Sequence, residues 1–142
     1  MYRFNSFTQK ANDVLNLAIK AAENFGHTYV GSEHILVGIL KEGTGVGALL
    51  LEEKGVSLKK IEELIEKNIG TGTATRLSPD DFTPRSKRII EVSFQIARGM
   101  LNSFVGTEHI LLALLRESDS YAVKFLNICS IDEQTLLEEV CS

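Results

Sequence analysis

The sequence predicts an all-α protein: two tandem four-helix repeats, about eight helices, packed against each other with pseudo-twofold symmetry. Three observations predict it. The chain aligns with itself when shifted by 75 positions, so that Phe7-Thr8 falls on Phe82-Thr83 and Val30-Gly31-Ser32-Glu33-His34-Ile35-Leu36 falls on Val105-Gly106-Thr107-Glu108-His109-Ile110-Leu111. Its apolar residues recur at steps of three and four, which keeps one face of a helix dry. No stretch alternates apolar and polar residues for long enough to make a strand.

The repeat is gapless. Between 7–42 and 82–117 eleven positions are identical, namely residues 7, 8, 22, 30, 31, 33, 34, 35, 36, 40 and 42 with their partners. Average composition gives roughly 6% identity per position, hence about two, so the excess means duplication. With 142 residues, 44% of them hydrophobic, the chain can bury a core and is expected to form one domain over 1–142. Repeat one spans 7–69, a linker 70–81, and repeat two 82–140.

The elements follow in order. Ala11, Val14, Leu15, Ala18, Ala21, Ala22 and Phe25 define an amphipathic helix over about 8–24. Ser32 is expected to cap a second helix, carried by Ile35, Leu36, Ile39 and Leu40 and stopped before Gly43. A third runs over about 46–53 to Gly55, and Ser57 caps a fourth through Leu58, Ile61, Leu64, Ile65 and Ile69. The second copy predicts helices near 83–99, 107–117, 119–128 and 132–140, with Thr107 and Asp132 as caps. Between the copies, Gly70 to Thr75 and Ser78 to Asp81 read as turn material that packs little.

Composition excludes several functions. A net charge of −4 opposes nucleic-acid binding, which needs a dense basic stripe; a helical nucleic-acid-binding regulator is the distant alternative. Cys129 and Cys141 form no C-x-x-C pair, and no signal peptide or membrane-length apolar run occurs, so a reduced cytoplasmic protein is expected. His34 and His109 each stand alone rather than in H-E-x-x-H, so no metal site is expected; buried or capping roles suit them better. Repeat comparison pairs His27 with Asn102, which argues against a repeated function for it. Catalysis has no nucleophile signature: no G-x-S-x-G elbow and no Cys-His constellation are present.

The residues F-T-x-x-A at Phe7 to Ala11, the stretch from Gly26 to Leu40, F-T-P-R at Phe82 to Arg85, and Phe104 to Leu115 with its G-T-E-H-I-L resemble the Clp N-terminal repeat, in its ClpC-type AAA+ unfoldase branch. The resemblance covers essentially the whole chain. It implies a non-catalytic receptor for substrates and adaptors, mounted on a hexameric ATPase ring that feeds a ClpP-type peptidase. No Gly-Lys pair exists for a Walker A loop, so no cofactor is expected here, and ATP and magnesium belong to modules outside this chain. A stand-alone accessory protein docking on a Clp ring is the alternative within the same class. Hexamerisation in that family belongs to the ATPase modules, so a monomer is expected.

Two readings of the motif glutamates stand side by side. An acid in the first turn of a helix complements its dipole by about 0.3–1 kcal/mol. The resemblance implies instead that Glu33 and Glu108 receive the guanidinium of phosphoarginine on marked or unfolded substrates. Thr8, Thr83, Ser32 and Thr107 would then supply hydroxyls and helix-terminal amides for the phosphate, or else simply cap their helices. Arg85, Lys87 and Arg88 are expected to make the second nest the stronger anion site. Phe4, Phe7 and Phe82 are assigned to a hydrophobic patch, with a stapling role open for Phe7 and Phe82. Relatives carry a glycine-containing turn where this chain has Glu117-Ser118-Asp119-Ser120, so a stiffer, more acidic loop is expected.

Overall fold

A computed structural model describes residues 1–141. Ser142, the end of the predicted domain, lies outside the described residues, as do the side chains of Glu133 and Cys141. Among the described residues eight α-helices form: α1 (Gln9–Phe25), α2 (Ser32–Glu42), α3 (Val46–Glu53), α4 (Leu58–Asn68), α5 (Pro84–Gly99), α6 (Thr107–Leu115), α7 (Tyr121–Ile128) and α8 (Glu133–Cys141), with a 3-10 turn at Pro79–Asp81. The all-α expectation holds. The predicted ends shift by one or two residues, because Ser120 caps α7 and Arg116 already leaves α6.

The two E-H helices are the axle of the molecule. In α2 every residue from Ser32 to Leu40 is buried, and in α6 only Glu108 escapes full burial. A helix that is apolar all round has to lie inside, and Ile35-Leu36-Val37 and Ile110-Leu111-Leu112 leave no polar face. α1 crosses α2 so closely that a Cβ at Gly38 would collide with the Val14 carbonyl oxygen. Its equivalent in repeat two is Ala113.

The repeats interlock through their chain crossings. Val30 N–H donates to the Asp81 carbonyl (2.8 Å) and Thr83 N–H to that of Val30 (3.1 Å). In the other half Val105 N–H donates to the Ser6 carbonyl (2.8 Å) and Thr8 N–H to that of Val105 (2.9 Å). These isolated parallel bridges, Val30 with Phe82 and Val105 with Phe7, interchange under the 75-residue shift. The chain entering α5 is thereby tied to repeat one, and the chain entering α1 to repeat two.

The linker packs, contrary to expectation. Gly72 N–H donates to the Phe25 carbonyl (2.9 Å), the Thr75 hydroxyl to that of His27 (2.8 Å), and Leu77 N–H to the Glu23 carboxylate (2.8 Å). Leu77 is buried. Gly26, which closes α1 at φ 74°, meets Gly72 where neither backbone leaves room for a Cβ. The gap at the end of α1 is filled by small linker residues rather than left to solvent. Cys129 is a free, half-buried thiol whose pKa burial pushes up.

Candidate functional site

The motif histidines build the helix starts that carry the glutamates. Gly31 and Gly106, not Ser32 and Thr107, are the N-caps, and each donates its N–H to Nδ1 of the histidine three residues on, His34 at 2.9 Å and His109 at 2.8 Å. With Nδ1 an acceptor, each imidazole carries its proton on Nε2. His34 Nε2 then donates to His27 Nδ1 (2.8 Å), and His27 Nε2 donates to the Gly70 carbonyl (2.8 Å). In repeat two His109 Nε2 donates to the Asn102 side-chain oxygen (2.9 Å). His27 and Asn102 thus perform one repeated task, which their difference in type conceals. Burial, with the charge of His27 behind it, pulls His34 down to about 3; burial lowers His109 against the pull of Glu108.

Ser32 and Thr107 sit at the first helical position, and their hydroxyls leave the repeat altogether. Ser32 Oγ accepts from the Ala122 N–H of α7 (3.2 Å), and Thr107 Oγ1 from the Gly47 N–H of α3 (3.0 Å). Positions 47 and 122 are repeat equivalents, so each hydroxyl satisfies an orphan amide in the opposite repeat. Thr8 and Thr83 do cap their helices, accepting from Ala11 N–H (3.1 Å) and Ser86 N–H (3.0 Å).

Two clefts result, and each draws on both repeats. One, of about 400 Å3, is lined by Glu33 of α2, Thr83 and Arg85 at the start of α5, and Ser120 and Tyr121 at the start of α7. The other, of about 600 Å3, is lined by Glu108 of α6, Thr8 and Lys10 at the start of α1, and Gly45 and Val46 at the start of α3. Three helix N-termini converge on each carboxylate. Such ends present free N–H groups and positive dipole potential, the setting in which anions bind. A carboxylate among them adds an acceptor for a planar donor such as guanidinium.

Their electrostatics differ. Glu33 is 2% exposed and accepts from the Tyr29 hydroxyl (3.2 Å). Burial raises its pKa, opposed by its own backbone amide, by Tyr29 and by His27; burial and Glu33 likewise push Tyr29 up. Arg88 grips Glu117 with two nitrogens (2.6 and 3.2 Å) and Arg85 holds Asp119 (2.8 Å). Of the three cations expected to enrich an anion site, Arg85 and Arg88 are therefore matched by the acidic loop, and Arg85 lines the Glu33 cleft rather than the Glu108 one.

Phe7 and Phe82 are core residues, so the three-ring patch is corrected. Only Phe4 is partly exposed, packed at 6.1 Å from Phe7 and 6.2 Å from Phe82 between ring centroids. Phe104 (59% exposed) and Val46 (48%) are the apolar residues that border a cleft. Sequence reasoning missed them, although the repeat register pairs Phe104 with Tyr29 and Val46 with Tyr121.

Residues 6–129 match the Clp repeat (R) N-terminal domain. The chain belongs to that family. It is 42% identical over 129 residues to the ATP-dependent Clp protease ATP-binding subunit ClpA homolog of Guillardia theta, covering 91% of this chain and 16% of the relative. It is 39% identical over 137 residues to the chloroplastic chaperone protein ClpC1 of Oryza sativa subsp. japonica, covering 96% and 15%. The Clp repeat chain thus spans about one sixth of the length of these relatives. Its fold is that of the ClpD N-terminal domain of Arabidopsis thaliana, with a TM-score of 0.82 at 22% identity over 99% of this chain and 95% of that one. A ClpV N-domain, solved in complex with a VipB peptide, superposes with a TM-score of 0.69 at 16% identity over 94% and 84%. Among the described residues no single helix of this Clp repeat domain is long and apolar enough to cross a membrane.

Proposed function

We propose that this Clp repeat domain is the substrate- and adaptor-binding receptor of a ClpC-like, ATP-dependent unfoldase, and that its clefts read phosphoarginine on marked proteins. The observation that carries the reading is the convergence of three helix N-termini on one motif glutamate, twice. A phosphoarginine side chain is a planar donor fork bearing a doubly charged phosphate. Amides and hydroxyls at the helix starts suit the phosphate, and Glu33 or Glu108 suits the guanidinium. The domain itself is non-catalytic in this reading. The relatives' length supports a place on a larger ATPase that hands chains to a ClpP-type peptidase in the cytoplasm, with ATP and magnesium bound elsewhere.

Calorimetric titration with free phosphoarginine, set beside arginine and phosphoserine, tests the reading. Saturable binding that arginine does not reproduce and that the Glu33→Ala/Glu108→Ala variant abolishes is the expected result. No heat and no chemical-shift change at millimolar ligand would leave both glutamates as helix-dipole residues. A second reading, docking of adaptor or substrate peptides, is favoured by the peptide seated on the ClpV N-domain. It would then stand alone.

A further inference from the structure

We propose that the two clefts have diverged in function: the Glu108 cleft is the working receptor, and the Glu33 cleft is latched closed. This rests on the phosphoarginine reading and adds to it which site works and what flanks the ligand.

The repeat register permits a position-by-position comparison of the two clefts. Glu33 is withdrawn from solvent, with the Tyr29 hydroxyl on its carboxylate. Glu108 is only partly buried, and its position-29 equivalent is Phe104, which has no hydroxyl to offer. A ligand guanidinium has to displace Tyr29 at the first carboxylate and displaces no side-chain donor from Tyr29's position at the second. The cation differs as well. Arg85 is already held by Asp119 (2.8 Å), with Glu117 at 3.9 Å. Its equivalent Lys10 donates to the Thr44 carbonyl (3.4 Å) and, among the described residues, to no carboxylate, because Thr44 stands where repeat two has Asp119. The Glu42 carboxylate beside it is turned to the Thr44 hydroxyl and the Gly45 N–H.

The helix starts differ in donor count. Pro84 opens α5 and has no N–H, whereas its equivalent Gln9 opens α1 and has one. A phosphate therefore gains one more amide in the Glu108 cleft and meets no carboxylate equivalent to Asp119. Phe104 and Val46 then border the same cleft with apolar surface, where the Glu33 cleft has Tyr29 and Tyr121. The ligand class is a phosphoarginine with an aliphatic or aromatic neighbour in its chain.

A hydrogen bond to a charged group is worth about tenfold or more in affinity. Phosphoarginine titrated at pH 8 into the whole 142-residue chain, followed by calorimetry and amide chemical shifts, should show one tight site. Glu108→Ala should weaken that site at least about tenfold. The Tyr29→Phe/Asp119→Thr variant gives the latched cleft its counterpart's residues and should raise the stoichiometry from one toward two. A dipeptide pairing phosphoarginine with leucine should bind more tightly than one pairing it with aspartate, and Phe104→Ser should remove that preference. Two equal sites in the native chain, a tight site that survives Glu108→Ala, or a stoichiometry unmoved by the double substitution would each overturn the latch while leaving the receptor reading intact. No binding in any of these proteins would overturn both, and thermal melts of every variant separate lost binding from lost fold.

Discussion

At the scale of single residues, the buried chain from the Gly31 N–H through His34 and His27 to the Gly70 carbonyl makes stability depend on pH. An imidazole whose folded pKa lies below its unfolded value near 6.5 takes up protons first in the unfolded chain. Its contribution is therefore complete above about pH 6.5 and is lost as pH falls toward 3, the folded value of His34. His109 has the same sign. Glu33 has the opposite one: its raised folded pKa means that the native state takes up a proton before the unfolded chain, so acidification through that window adds stability. Each such proton changes stability by about 1.4 kcal/mol per pH unit. Urea melts stepped from pH 7 down to 4.5 should show stability falling, and toward the acid end, above the unfolded carboxyl value, the fall should be steeper in Glu33→Gln, which removes the opposing proton. Equal slopes in the two proteins, or stability that rises on acidification, would contradict this. The histidines' buried, capping character was legible in the lone E-H motifs. The partnership with His27 was not, because His27 and Asn102 share only an acceptor lone pair, and a comparison of residue types does not register that.

At the scale of elements, the helices follow from the spacing of Val14, Leu15, Ala18 and their equivalents, whereas their closest approach is set by one missing methyl group. α1 and α2 meet at Gly38, where a Cβ would collide with backbone that has no side-chain freedom to yield. Gly38→Ala should therefore destabilise the domain by about 1–3 kcal/mol although alanine is the better helix former. The reciprocal change Ala113→Gly should cost about 1–2 kcal/mol, the backbone term plus the loss of one buried methyl group. Thermal or urea denaturation of the two variants measures both, and a neutral Gly38→Ala would mean that the crossing can widen freely. The misassigned caps belong to this scale too. From the sequence Ser32 is the better cap than Gly31, since its hydroxyl can accept an orphan amide. The structure awards that hydroxyl to Ala122, an amide 90 residues away, and lets His34 serve the glycine instead.

At the scale of the whole molecule, the duplication was legible because gapless identity survives in the motif, but the sequence sets the halves end to end while space interleaves them. Thr83 comes to Glu33 and Thr8 to Glu108, and neither pairing can be read from adjacency. The interleaving predicts that neither repeat is a folding unit. A fragment of residues 1–78 would lose the Val105 bridge that holds the entry to α1, the Thr107 hydroxyl that caps α3, and the side of α2 that meets α6. Its buried isoleucines and leucines would face water, and its helix-start amides would lack their acceptors. The intact chain should accordingly unfold in one cooperative transition and sediment as a monomer. Fragments 1–78 and 79–142 should each lack a cooperative thermal transition and recover one when mixed, because the contacts that complete each half lie on the other. A sharp melt from either fragment alone would mean that the clefts are assembled from two preformed domains, and that their cross-repeat hydrogen bonds follow folding rather than define it.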